Sequence, residues 1–295
     1  MKYNIALIGF GKWAKIVSKE IDKNENFNLR GIVSLSANEN DTNVNIYENI
    51  EQLLINESID CLYVAKNPDT NLYILNKIKT KKIPIIFEKP IGNNSKNCLE
   101  IINIIRANKI KALTNLPNLY ADTFKNTSKF IIENKNKISN IIIYEGGNNL
   151  KNKKIHPILD WGIHPMTYFF SFFNSNEIRK IKYKEIYISQ NYHSIASKFN
   201  IILKNNLEIK IMTGNGFKKK IRKLKIFLDN GDIFINDLIN HKIIFNDKII
   251  HKSLNTPLQN LLNNFELIIK NNYDNDMKNL YSSYDSIKLI EKYIY

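Results

Sequence analysis

The sequence predicts two successive folds: a parallel α/β sheet domain, then an α+β domain built on a mostly antiparallel open sheet. Three observations predict it. Short apolar runs alternate with amphipathic stretches through the first third of the chain, as in a parallel sheet covered on both faces. Beyond about Leu116, apolar residues recur at every second position, the period of half-buried strands. The length, 295 residues, suits two domains at roughly 150 residues each. The division falls at residues 1–116 and 117–295.

The elements follow in order. Tyr3–Ile8 reads as a buried strand ending at Gly9, and Lys12 to about Asp22 as a helix. Phe27–Val33 is a second strand, a helical stretch covers Tyr47–Ile55, and Ile59–Val64 is a third strand. Asp69–Ile78 is helical, with Leu72, Leu75 and Ile78 on one stripe. Ile83–Phe87 is a fourth strand, Ser95–Ala107 a helix capped by Asn94 or Ser95, and Ile110–Leu113 a fifth strand. A helix near Asp122–Glu133, a strand at Ile141–Tyr144 and an apolar helix from Leu159 to Phe173 come next. From Ile178 to Ile250 the pairs Ile186/Ile188, Phe199/Ile201, Ile209/Ile211, Leu224/Ile226 and Ile233/Ile235 mark strands. Turn signals such as Asn205-Asn206 and Asp229-Asn230-Gly231 separate them. This pattern predicts an antiparallel meander. Helices near Pro257–Lys270 and Met277–Tyr293 complete the chain.

Composition excludes several classes. A hydrophobic fraction of 43% and a charged fraction of 24% are those of a globular chain, not of a disordered or collagen-like one. Cys61 and Cys98 are too few for a disulfide framework or a four-cysteine zinc cage, and their apolar surroundings suit inert buried thiols. The apolar run before Gly9 is too short for a signal peptide, and no stretch approaches the roughly 18 residues of a membrane span. A cytoplasmic protein without membrane contact is expected. The formal charge of +15 resembles a nucleic-acid footprint. However, Ile, Asn and Lys make up nearly half the chain, and all three use A/T-rich codons. The dense runs, Lys79–Lys82, Lys151–Lys154 and Lys218–Lys225, are not interleaved with aromatics. No nucleic-acid partner is expected.

Gly9-Phe10-Gly11-Lys12-Trp13-Ala14 follows the first strand and opens the first helix, the G-x-G-x-x-A context of a dinucleotide site. Gly9 permits the tight turn, Gly11 lets the backbone approach a pyrophosphate, and Ala14 allows close helix–sheet packing. The helix N-terminus then offers N–H groups and positive potential to the phosphates. NAD sites usually carry an acid at the end of the second strand. Here Ser34 stands there, a hydroxyl that tolerates a 2′-phosphate. The expected cofactor is NAD(P), with a slight lean to NADP.

Glu88-Lys89-Pro90 ends the fourth strand, the edge where open α/β sheets bind ligands. A lysine there can stabilise a developing alkoxide, although such a triplet also arises as a surface lysine before a turn. Asp160 and His164 are spaced i, i+4 on one helical face. A histidine so placed can carry a proton while the carboxylate orients it. By itself such a pair is more often a salt link or a packed core histidine. His156 extends the face, but Pro157 and Pro165 make it irregular and no further ligand is evident, so no metal is expected.

In order and spacing, these three motifs resemble the Gfo/Idh/MocA family (glucose–fructose oxidoreductase, inositol dehydrogenase, MocA), over essentially the whole chain. The resemblance implies an NAD(P)-binding Rossmann domain, then an α+β domain whose open sheet commonly forms an oligomer interface, giving a dimer or tetramer. It implies hydride transfer at a hydroxyl-bearing carbon of a sugar, cyclitol or nucleotide-sugar derivative. Lys89 would be the catalytic lysine, His164 the acid/base, and Asp160 its substrate-hydroxyl partner. Glu88 and Pro90 would flank that lysine beside the nicotinamide, and Ala65, Lys66, Asn67 and Pro68 would line the cofactor groove. The chain departs from the pattern at Asn71, often His; at Leu116–Tyr120, where Asn118 stands and a common Arg is missing; at Thr167, often Asp; and in a short meander. These departures motivate an alternative, an NAD(P)-binding sensor or assembly partner without catalysis.

Overall fold

The computed structural model describes residues 2–38, 40, 42–148, 156–188, 194–270 and 277–294; the run Lys151–Lys154 lies outside them. The chain divides into two compact units. Unit 1 comprises Met1–Pro117 and Leu258–Tyr284, and unit 2 comprises Asn118–Pro257 and Asp285–Tyr295.

Unit 1 begins with β1 (Tyr3–Ile8), α1 (Lys12–Asp22), β2 (Phe27–Val33), β3 (Asn45–Tyr47) and α2 (Ile50–Asn56). It continues through β4 (Cys61–Val64), α3 (Asn71–Ile78), β5 (Ile85–Phe87), α4 (Ser95–Ala107) and β6 (Ala112–Thr114). Its sheet has the order β3-β2-β1-β4-β5-β6, and every pairing is parallel. The strand order reverses direction between β1 and β4. Ile8, Val64, Phe87 and Thr114 are in register across four strands, so the carboxyl ends of β1, β4, β5 and β6 share one edge. The apolar runs are buried on both faces: Ile5 to Ile8, Cys61 to Val64 and Ile85 to Phe87 are almost wholly covered. Both cysteines are free and buried. Asn94 caps α4 by accepting from the Asn97 N–H at 2.8 Å. The edge strand β3 occupies residues that the sequence left between elements, save Tyr47, read as helical. Three residues are too few to display a period, and their pairing with Gly31–Val33 of β2 is what makes them a strand.

Unit 2 opens with α5 (Asp122–Glu133), β7 (Ile138–Gly146) and α6 (Pro157–Phe172). Then follow β8 (Ile178–Ile188), β9 (Ile195–Leu203), β10 (Glu208–Gly214), β11 (Ile221–Leu228), β12 (Ile233–Asp237), β13 (Lys242–Phe245) and β14 (Lys248–Lys252). The sheet order is β14-β13-β12-β11-β7-β10-β9-β8. The expected continuous meander is therefore corrected. Two antiparallel runs, β8–β10 and β11–β14, flank β7, which pairs parallel with β10 and antiparallel with β11. Period-2 patterning identifies strands but not their neighbours. The sheet packs α6 against β7, β9 and β10, over Ile141, Ile143, Phe199, Ile201, Ile209 and Ile211, all buried.

The last helices are α7 (Pro257–Lys270) and α8 (Met277–Ile294). The sequence divides once, at 116/117, whereas the structure returns Leu258–Tyr284 to unit 1. Specific contacts hold it there. Phe265 stacks on Phe27 at 6.2 Å, Asn24 donates to Gln259 and Asn263 at 2.8 and 2.9 Å, and Asn279 accepts from the Thr114 N–H at 2.7 Å. Among the described residues no helix is long and apolar enough to cross a membrane.

Candidate active site

In unit 1 the glycine turn sits directly on the sheet edge. Gly9 has φ +99°, a left-handed conformation, and a Cβ there would lie 2.6 Å from the Ala65 carbonyl oxygen. Gly11 differs. It is the N-cap of α1 at φ −75°, and nothing lies within 4 Å of where its Cβ would be. No side chain caps α1 and no acid occupies its first turn. An uncapped helix N-terminus beside open space fits a pyrophosphate. Phe10 and Ala14 are buried, and Lys12 and Trp13 are exposed. Ser34 is buried, and its hydroxyl accepts from the Ser36 N–H at 3.3 Å.

Past β4, Ala65 continues the ladder by donating to the Ile8 carbonyl at 2.8 Å. Asn67 and buried Pro68 start the short turn leading into α3, where the Asn67 carbonyl accepts from the Thr70 hydroxyl at 2.8 Å. Lys66, exposed, lies beside Gly9.

Glu88 follows β5, and its carboxylate gathers three donors. These are Trp13 Nε1 at 2.5 Å, the Tyr63 hydroxyl at 2.5 Å and Asn115 Nδ2 at 2.6 Å. Lost hydration outweighs these donors and pushes the Glu88 carboxyl above its ordinary range. Burial, then the Glu88 charge, raises the Tyr63 phenol well above its own, so it stays a donor. Asn115 Oδ1 is buried with no hydrogen-bond partner among the described residues. Lys89, next along, is partly buried and joined to Pro90 by a cis peptide. Asn71 is buried, and its Nδ2 donates to the Ile91 carbonyl at 2.8 Å, fixing the loop that follows Lys89 and Pro90.

In unit 2, α6 carries Asp160 and His164, both buried. His156 is the N-cap of that helix: its Nδ1 accepts from the Ile158 N–H at 3.2 Å, and burial lowers its pKa. It is thus committed to the backbone. Among the described residues no three His, Cys, Asp or Glu side chains are arranged to hold a metal. Thr167, fully buried, donates to the His164 carbonyl at 2.7 Å. Pro165 lies inside the continuous helix and removes the donor for the Trp161 carbonyl.

A polar chain beneath α6 went unread in the sequence. Asn118 Nδ2 donates to the Tyr168 hydroxyl at 2.7 Å, and that hydroxyl reaches Glu145 at 3.5 Å. Glu145, fully buried, pairs with Arg222 at 2.6 Å, and the Arg222 guanidinium lies 5.9 Å from the Trp161 ring centre. A signal existed. Glu145 occupies the inward phase of Ile141 and Ile143, and Arg222 that of Leu224 and Ile226, so each strand sends a charge inward.

A parallel sheet with a glycine turn at its switch point, followed by an α+β domain with a mostly antiparallel sheet, is the arrangement of a two-domain dinucleotide-binding fold. Residues 3–115 match the model of the Gfo/Idh/MocA oxidoreductase family, NAD-binding Rossmann fold. No curated relative matches the chain. Solved structures do. Myo-inositol dehydrogenase from Corynebacterium glutamicum aligns at 14% identity and TM-score 0.81, covering 99% of this chain and 95% of that one. Scyllo-inositol dehydrogenase from Lactobacillus casei, with bound NAD(H) and scyllo-inositol, aligns at 15% identity and TM-score 0.76, covering 99% and 96%. UDP-N-acetylglucosamine 3-dehydrogenase from Acidithiobacillus ferrooxidans aligns at 10% identity and TM-score 0.80, covering 98% and 97%. At such identities the likeness is one of fold, and it extends through both domains.

Proposed function

We propose that this protein is an NAD(P)-dependent oxidoreductase acting at a hydroxyl-bearing carbon of a sugar, cyclitol or nucleotide-sugar derivative. The observation that carries the reading is the shared edge of unit 1, where a glycine turn with an uncapped helix N-terminus and the Glu88-Lys89-Pro90 segment lie at the carboxyl ends of strands of one sheet. Gly9, Phe10, Gly11, Lys12, Trp13 and Ala14 would hold the dinucleotide, with Ser34, Ala65, Asn67 and Pro68 along its groove. When bound, the cofactor supplies a hydride acceptor or donor. Lys89 holds the substrate oxygen and favours its negative charge, His164 takes or returns the proton, and Asp160 orients a substrate hydroxyl. Ser34 in place of an acid supports the slight lean to NADP.

Three of the departures from the family pattern have a structural use here: Asn71 holds the Ile91 carbonyl, Thr167 the His164 carbonyl, and Asn118 the Tyr168 hydroxyl. A cytoplasmic homodimer or homotetramer completes the proposal, supported by the exposed Ile186, Tyr187 and Ile188 of β8.

The test is a fluorescence titration with NADH and with NADPH, followed by turnover on a sugar and cyclitol panel. Lys89→Ala and His164→Ala should each lower turnover by orders of magnitude with cofactor affinity little changed. Full activity in both variants sinks the residue assignment. Tight cofactor binding with no turnover on any substrate returns the sensor reading.

A further inference from the structure

We infer that the indole of Trp13 is the platform on which the nicotinamide ring of the cofactor lies. The inference rests on the NAD(P)-binding reading and assigns a role to a side chain that the glycine fingerprint leaves unspecified.

Trp13 is 41% exposed, yet it is not a loose surface ring. Its Nε1 donates to Glu88 at 2.5 Å and lies 3.4 Å from the Tyr63 hydroxyl. Trp13 stands in the first turn of α1, above β1; Tyr63 belongs to β4, and Glu88 follows β5. These three strands are consecutive in the sheet. Neighbouring strands are about 4.8 Å apart, so the reach from β1 to β5 is about 10 Å. The indole therefore crosses the carboxyl end of β4, beside the β1/β4 switch point where such sheets take their ligands. It is tethered at its N–H edge by the residue preceding Lys89, and much of its surface stays open.

The chemistry selects the occupant. The oxidised nicotinamide is a flat, electron-poor cation, and indole is the most favourable aromatic face for a cation. The reduced ring is neutral and gains only ordinary aromatic stacking. Trp13 accordingly favours the oxidised cofactor, and Glu88 acts through it as a positioning residue, linking the phosphate turn to the Lys89 segment.

The test compares wild type, Trp13→Leu and Trp13→Phe with three probes: NAD(P)+, NAD(P)H and ADP-ribose, with its 2′-phosphate where NADP is preferred. ADP-ribose lacks the nicotinamide, so its binding reports the fold and the phosphate turn alone. Wild type should show an indole–nicotinamide charge-transfer band and quenched tryptophan emission with NAD(P)+. Trp13→Leu should lose the band and bind NAD(P)+ about tenfold more weakly, equivalent to about 1.4 kcal/mol. Its affinity for NAD(P)H should fall less, and its affinity for ADP-ribose should stay within about twofold. Trp13→Phe should fall between. Trp161, the other tryptophan, is common to all three proteins and cancels in the difference. Unchanged NAD(P)+ affinity in Trp13→Leu overturns the platform while leaving cofactor binding intact. A parallel loss of ADP-ribose overturns it in favour of a phosphate-turn role. Failure of every probe to bind wild type removes the NAD(P) reading and the platform with it.

Discussion

Gly9 and Gly11 lie two residues apart in one turn, yet alanine should act on them through opposite ends of the protein's chemistry. At Gly9 the φ of +99° strains any L side chain, and the new Cβ would meet the Ala65 carbonyl oxygen at 2.6 Å. Backbone strain of this kind costs about 1–3 kcal/mol, and forced displacement of a packed neighbour costs a similar amount. Taking about 3 kcal/mol in all, Gly9→Ala should lower the melting temperature by about 6–12 °C. At Gly11 the φ is −75° and the Cβ position is empty. A poorer N-cap costs a few tenths of a kcal/mol, and the stiffer unfolded chain returns about as much. Gly11→Ala should therefore melt within about 2 °C of wild type. Its methyl occupies the space offered to the pyrophosphate, so NADH affinity should fall by about 10- to 100-fold, the worth of one or two charge-assisted hydrogen bonds. Calorimetry and NADH fluorescence, run on both variants, read the two effects separately. A Gly11→Ala protein that binds NADH like wild type refutes the placement of the phosphates. A Gly9→Ala protein that melts like wild type refutes the strain.

The remaining predictions concern buried polar groups. Arg222→Met leaves Glu145 charged and fully buried, and removing one partner of such a pair costs about 3–5 kcal/mol; urea unfolding should show that loss, with most of it recovered when Glu145→Gln is added. Equal stability of Arg222→Met and wild type would mean that the pair stabilises nothing. Asn71→Leu strips the Ile91 carbonyl of its donor and should cost about 1–3 kcal/mol in thermal unfolding. Asn71→His, whose ring N–H can donate in its place, should recover part of that loss; a histidine variant no better than leucine argues against the hydrogen bond.

Much of this was legible in the sequence, and what was not has identifiable causes. Buried parallel strands such as Tyr3–Ile8 are continuous apolar runs, and α5 and α7 lie where the sequence placed helices near Asp122–Glu133 and Pro257–Lys270. The glycine turn, Glu88-Lys89-Pro90 and the Asp160–His164 spacing are local words, readable without a fold. The insertion of β7 between β10 and β11 was not readable, because strand neighbours are chosen by packing rather than by period. Nor was the Glu145–Arg222 pair. Its members are 77 positions apart in the chain and meet only through the β7–β11 register. Trp13 and Glu88 stood in recognised motifs, but their hydrogen bond depends on a fold that sets β1, β4 and β5 side by side. The three donors on Glu88 likewise come from three separate segments.

The split of unit 1 sets a clock on synthesis. Its six strands are complete by Pro117, but the segment that covers Phe27 and binds Thr114 begins only at Leu258. At roughly 5–20 residues per second a ribosome takes about 7–28 s to make the intervening segment. Throughout that interval the nascent parallel sheet waits with Phe27 bare and the Thr114 N–H unclaimed. Such a surface invites chaperones and aggregation alike. A fragment ending at Pro117 would hold that vulnerable state permanently, so the cofactor half of this protein should be produced only from the full-length message.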